Sequence, residues 1–254
     1  MGHERVGILP KSKRWRTLVS ELASALDEET APVGIAERTL SHVRERFDRI
    51  HEDLGVQTAF SFLLALTSEA ELSPVGRELD LAENPSAIRL IAELSVAVRA
   101  NVSSHEYAEI ARSAAADAIT YWTQEQMQQE DLFSPEYDAS LIWGAARSGA
   151  AFTDITRVFF SSFVERYLRY FLEREASAVA PSLQHREEFD RRLSDEMREI
   201  SHHAFETTKI TQSFAAGWYN RHVKAGTLSD EQVVGFLSFA FSKLRQELQR
   251  EAVA

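Results

Sequence analysis

The sequence predicts an all-α protein, a multi-helix bundle of roughly eight to ten helices preceded by a short extended amino-terminal arm. The 254 residues include only 10 Gly and 6 Pro, fewer turn residues than an all-β protein of this size needs. Apolar residues recur at spacings of three and four through most of the chain, as they do on the buried face of a helix. Residues that typically begin and end helices separate these stretches.

The arm is predicted at residues 6–10, a short apolar run that ends in proline. Residues 12–26 follow as the first helix, because a serine at their start can accept the free amide hydrogens of the first turn. A second amphipathic helix is predicted over 34–53, and Gly55 after it is typical of a helix C-terminus. Residues 56–70 are nearly all apolar, which predicts a helix that is buried on most sides.

Two helices are predicted in the middle of the chain. Asn84 followed by Pro85 is a start signal, since Asn caps free amides and Pro fits the first helical position, so a helix is expected over 85–100. The next helix covers 107–128. Its alanines predict a small-residue face for close helix contact: Ala111, Ala114, Ala115 and Ala118.

The carboxyl-terminal half begins with a helix over 153–179 that is rich in aromatic residues. Residues 182–224 contain no proline and a single glycine, Gly217, so they predict one long helix or two helices bent near that glycine. Ser229 and Gln232 form a capping box that opens a last helix. We predict a single helical domain over 1–254, with possible sub-bundles at 12–128 and 134–250.

Composition and charge exclude several classes of protein. Without cysteine, the chain has no disulfide, no thiolate catalysis and no cysteine-based zinc site, which fits a cytoplasmic location. Its longest apolar run, 56–66, is about half the length that spans a bilayer, so we expect a soluble protein without a membrane span. The net charge is −11, yet residues 1–16 carry five basic residues against one acidic residue, a net of +4. The acidic remainder repels nucleic acid over most of the surface.

The basic amino-terminal cluster is one candidate contact site for a partner or a phosphate. Basic side chains beside an indole can pair with phosphates and stack a base, as in proteins that hold single strands. The competing interpretation places the indole on the inner face of the first helix, with the basic residues in solvent. The cluster consists of Lys11, Lys13, Arg14, Trp15 and Arg16.

A second candidate site is a pocket between the aromatic helix 153–179 and residues 199–219. Aromatic walls with a few polar groups are typical of small-molecule pockets, although aromatics at this spacing also form ordinary cores. The predicted pocket residues are Glu199, His202, His203, Glu206, Tyr167 and Trp218. The spacing of Glu199 and His202 also occurs in di-metal helical bundles, but chance pairs of this kind are common, and we predict no metal site, catalytic residue or cofactor.

These observations lead to three functional hypotheses. The first is a non-catalytic interaction, assembly or regulatory subunit that forms a homodimer or binds another protein. It rests on the predicted long helix and on the aromatic and small-residue faces. The alternatives are a ligand-binding protein or enzyme that uses the predicted pocket, and a nucleic-acid-associated protein that uses the basic arm, which the acidic body disfavours.

Overall fold

A computed structural model describes residues 49–68, 84–101, 105–129, 138–179, 191, 209–226 and 228–251. These ranges are helical and contain no strand, which confirms the all-α class. The amino-terminal arm lies outside them, so neither the arm nor the full helix count is established. A 3-10 turn at Ile50–Glu52 precedes the first of the seven described helices. They are α1 (Leu54–Thr67), α2 (Ala87–Ala100), α3 (His105–Gln129), α4 (Ala139–Ala145), α5 (Gly149–Val179), α6 (Lys209–Trp218) and α7 (Asp230–Glu251).

The two longest helices, α3 and α5, form the most extensive helix pair and run antiparallel. Along the pair, side-chain hydrogen bonds join successively later residues of α3 to successively earlier residues of α5, which shows that the two helices run in opposite directions. The pairs are Glu106 with Tyr170, Asp117 with Ser162 and Arg166, and Tyr121 with Arg157. None of the described helices is long and apolar enough to cross a bilayer.

The small-residue face predicted on α3 is confirmed. Its four alanines are completely buried: Ala111, Ala114, Ala115 and Ala118. Gly55 extends this close packing to α1, because a Cβ built on it would lie 2.9 Å from the Ala108 Cα and closer still to the Ala108 Cβ. A glycine is therefore needed where α1 crosses α3.

The prediction that Gly55 ends a helix is wrong. Gly55 lies in the first turn of α1, and the preceding Asp53 is the N-cap, whose carboxylate accepts hydrogen bonds from the amides of Gly55 at 2.9 Å and Val56 at 3.1 Å. The described residues just before it form the turn Ile50–Glu52 rather than the end of an α-helix. A glycine after an apolar stripe resembles a C-terminal cap, but here helix packing accounts for it.

Asn84 caps a different helix from the one expected. Ser86 is the N-cap of α2, with its Oγ 3.3 Å from the Arg89 amide. Asn84 has a left-handed backbone, φ 52°, and its Oδ1 accepts a hydrogen bond from the Ala139 amide at 2.7 Å. Asp138 accepts from the next two amides of α4. Asn84 and Asp138 together satisfy free amides at the start of α4.

The centre of the core is aromatic. Phe60 of α1 is fully buried and contacts rings from α5 and α7 at centroid distances between 5.2 and 6.2 Å. Its ring neighbours are Phe152, Phe159, Phe160 and Phe236. The nearly uniform apolarity of α1 follows from this central position, since neighbours cover most of its sides.

The start of α7 agrees with the sequence prediction, and the end of α6 contacts the end of α1. Ser229 and Gln232 form the predicted capping box, with bonds of 2.9 Å and 3.4 Å between their side chains and each other's amides. α6 continues into a π-helical turn at Tyr219–Val223. The Tyr219 hydroxyl donates to the carbonyl of Thr67 and so satisfies an acceptor at the end of α1. Whether 182–224 is one helix lies largely outside the described residues.

Candidate interaction surface

Most of the residues predicted to form sites lie outside the described ranges. The basic cluster Lys11, Lys13, Arg14, Trp15 and Arg16 is one such group, and Glu199, His202, His203 and Glu206 form the other. The phosphate site and the polar side of the pocket therefore remain predictions.

The two aromatic residues of the predicted pocket are described and lie in the core. Tyr167 is completely buried and its ring stacks on Phe163 at 6.2 Å. Trp218 is 8% exposed and packs against Phe236 at 4.6 Å. Both belong to the same hydrophobic cluster. Most of their described ring neighbours are core side chains, and the imidazole of the half-buried His222 lies 5.5 Å from the Trp218 ring.

The outer surface of α2 has a different character. One face of this helix packs on the core through Leu90, Leu94, Ala97 and Val98. The opposite face carries Ile88, 81% exposed, and Val96, 50% exposed. Ala92 and Ala100 are also exposed. Each of these four residues is four positions after the previous one, so all four lie along one side of the helix. We call them the α2 stripe.

Polar residues of α2 also bond within the chain. Arg89, which is exposed, pairs with Glu93 at 3.2 Å. The Ser95 hydroxyl donates to the Ile91 carbonyl at 2.7 Å.

Arg99 acts electrostatically on α3. The pKa of Glu109 is lowered, chiefly by hydrogen bonds from Arg112, with burial opposing the shift and the positive charge of Arg99 adding to it. Arg89 and Arg99 are themselves exposed. At 3.6 residues per turn they lie among the stripe residues, so the outer face of α2 carries four apolar residues and two arginines.

An outer face with this many apolar residues is unusual for a surface helix, which normally has one apolar and one polar side. In α2, 10 of 14 residues are apolar, more than one buried face requires. The excess of apolar residues is visible in the sequence, but it does not show whether another element covers the outer face of the helix. Exposed contiguous apolar surface typically marks a site of protein association.

Within the described ranges, no group of three or more His, Asp or Glu side chains could hold a metal ion. The polar side chains along the α3–α5 seam are paired with one another, as in the contact of Arg166 with Asp117 at 2.8 Å. The chain matches no protein-family model, and neither a curated protein nor a solved structure is significantly similar to it.

Proposed function

We propose that this chain is a helical assembly subunit that acts through protein–protein contacts, and that the α2 stripe binds the same stripe of a second copy. The observation that carries the proposal is the exposure of Ile88 and Val96 on one side of α2, opposite the face that packs on the core. Burial of such a surface releases water from apolar groups and favours association.

The order of side chains in the stripe supports a second copy as the partner. Along α2 the stripe reads Ile88, Ala92, Val96, Ala100, which alternates large and small. If two copies pack antiparallel about a two-fold axis, Ile88 lies opposite the small Ala100 of the second copy. Val96 then lies opposite the second copy's Ala92. Each large side chain meets a small one, so the apolar positions are self-complementary, as an isologous dimer requires. The same register places Arg89 opposite the second copy's Arg99, a like-charge pair that weakens the dimer.

The size of this surface sets the expected strength of the dimer. Burying a fully exposed Ile or Val contributes about 1.5–3 kcal/mol, so the partly exposed Ile88 and Val96 of both copies together contribute about 6 kcal/mol. Loss of translational and rotational freedom costs about 4–15 kcal/mol. Even at the lower end of that cost, Ile88 and Val96 leave only about 2 kcal/mol. A dimer with a Kd near about 1 mM therefore also requires burial of Ala92, Ala100 and their surroundings, and we expect it to be weak and concentration-dependent.

Sedimentation velocity from about 1 μM to about 1 mM tests this, because that range spans about −8 to −4 kcal/mol of association free energy. We expect reversible dimerisation that is abolished by Val96→Glu. Met127→Glu is the control, because Met127 is also 50% exposed but lies near the end of α3. A wild-type chain that stays monomeric throughout, or equal effects of the two substitutions, would contradict the proposal.

Ala92→Leu tests the size matching separately. A nonspecific hydrophobic surface would associate more strongly with the added apolar area. In the proposed packing, the larger side chain collides with Val96 of the second copy, and overpacking weakens the contact. Stronger dimerisation of Ala92→Leu would therefore refute the antiparallel arrangement.

A further inference from the structure

A cavity of about 220 Å³ lies where the first two turns of α1 meet the end of α2 and the start of α7. It is separate from the α2 stripe. The residues that matter for its chemistry are Gln57, Thr58, Ser61, Asn101, Asp230 and Val233.

The two amide side chains present acceptors. The Gln57 Nε2 donates to the carbonyl of His51 at 2.9 Å. The Asn101 Nδ2 donates to the carbonyl of Ala97 at 3.1 Å. These bonds orient both amides and leave the Oε1 of Gln57 and the Oδ1 of Asn101 as acceptors. Because two independent backbone bonds hold the amides, their orientation is part of the fold.

Two hydroxyl side chains of α1 line the cavity. Ser61 is only 5% exposed, and no hydrogen bond joins its hydroxyl to a described residue, although the oxygen itself is not fully buried. Thr58, which is half-buried, likewise has no side-chain hydrogen bond within the described residues. Buried polar groups are normally satisfied by protein or by bound molecules, so a group that enters the cavity would gain these hydroxyls as partners.

The charge in the cavity favours a cation. Asp230 is the charged residue of the lining, and no Lys, Arg or His lies among the described lining residues. The last carbonyls of α2, which ends beside the cavity at Asn101, add partial negative charge. Acceptor oxygens, a carboxylate and a helix C-terminus disfavour an anion. The N-termini of α1 and α7 also border the cavity, and Asp53 and Asp230 compensate their partial positive charge.

We propose that this cavity binds a small organic ammonium compound, with its nitrogen near Asp230 and Ser61 and its apolar body against Val233. The volume corresponds to about seven water molecules at ~30 Å³ each, which suits a ligand of about that many non-hydrogen atoms and exceeds the size of a metal ion. One carboxylate among the described lining residues is also too few for a divalent cation. Val233 is 3% exposed and supplies an apolar wall.

Three probes of similar size separate charge from shape: isopentylamine, isopentanol and isovalerate. Each is titrated into the ¹⁵N-labelled full chain, and binding is followed by amide chemical shifts. We expect saturable shifts around Ser61 and Asp230 with isopentylamine, and weaker binding of the alcohol and the carboxylate. Equal binding of all three probes, preference for isovalerate, or no saturable shift with the amine would overturn the proposal.

Substitutions then test the named residues. Asp230→Asn keeps the shape and removes the charge, and because Asp230 is exposed we expect it to weaken amine binding about two- to fivefold. Glu231→Gln makes the same change of charge one residue later in the same helical turn, but Glu231 does not line the cavity, so it should leave binding nearly unchanged. Ser61→Ala removes the hydroxyl and should weaken binding several-fold. Equal effects of Asp230→Asn and Glu231→Gln, or full affinity in Ser61→Ala, would overturn the assignment.

Discussion

Replacing a helical glycine by alanine should have opposite effects at two positions of this protein. In a helix interior the change normally stabilises, because alanine loses less conformational entropy than glycine on folding. Gly235 lies within α7, and a Cβ there would meet no atom within 4 Å. We therefore expect Gly235→Ala to raise the free energy of unfolding by about 1 kcal/mol.

The same substitution at Gly55 encounters α3. The new Cβ would lie 2.9 Å from the Ala108 Cα, and the Ala108 Cβ is nearer still. Carbon atoms pack best at about 3.5–4.0 Å, so α1 and α3 must separate by about 1 Å. Overpacking of this kind costs about 1–3 kcal/mol, which exceeds the gain in helix propensity. We expect Gly55→Ala to lower the free energy of unfolding by about 1–2 kcal/mol.

Thermal unfolding measures both effects, since 1 kcal/mol corresponds to about 2–4 °C in Tm for a chain of this size. Gly235→Ala should raise Tm and Gly55→Ala should lower it. Ala108→Gly removes the nearest atom but also costs about 1 kcal/mol in helix propensity. We therefore expect it to cost less in the Gly55→Ala background than in the wild type, which a double-mutant cycle measures. If Gly55→Ala raises Tm as Gly235→Ala does, close approach of α1 and α3 is not the reason for this glycine.

Two further predictions concern a cap and an ion pair. Asn84→Gly keeps the left-handed backbone but loses the bond to the Ala139 amide, at a cost of about 1 kcal/mol in unfolding free energy. Asn84→Ala should lower the free energy of unfolding by about 1–2 kcal/mol more than Asn84→Gly, because alanine is disfavoured in the left-handed conformation. If denaturant unfolding gives equal losses for the two variants, the left-handed backbone does not contribute. Because the pKa of Glu109 is lowered from its ordinary value of 4.5, its bond with Arg112 stabilises the fold at pH values above 4.5. This contribution is lost as the pH falls through the pKa of Glu109 in the folded state. Because the Glu109 side chain is 60% exposed, Glu109→Gln should lower the free energy of unfolding by at most about 0.5 kcal/mol at pH 7. At low pH it should have no effect. An effect of equal size at both pH values would contradict this explanation.

Local signals in the sequence were sufficient where neighbouring residues in the chain interact. The capping box of Ser229 and Gln232 joins residues three positions apart, and its pattern is readable without knowledge of the fold. The alanine face of α3 was predictable for the same reason, because helical spacing alone places those residues on one side.

The same signals misled where a distant element supplied the partner. Asn84 resembles a cap for the helix that follows it, but its side chain bonds to Ala139, 55 residues away. Gly55 resembles a C-terminal cap, but the residue that requires it is Ala108 on another helix. Spacing along the chain carries no information about such partners.

The sequence by itself determined that the chain is helical, where several helices begin and end, and which of their faces are apolar, because these properties depend on residues within a few positions of one another. Only the tertiary structure decided which apolar faces remain uncovered. Ile88 and Leu90 lie two positions apart on α2, yet one is 81% exposed and the other is fully buried. It also brought Ser61, Asn101 and Asp230 around one cavity. Both outcomes depend on how the helices pack, which arises from contacts between residues far apart in the chain.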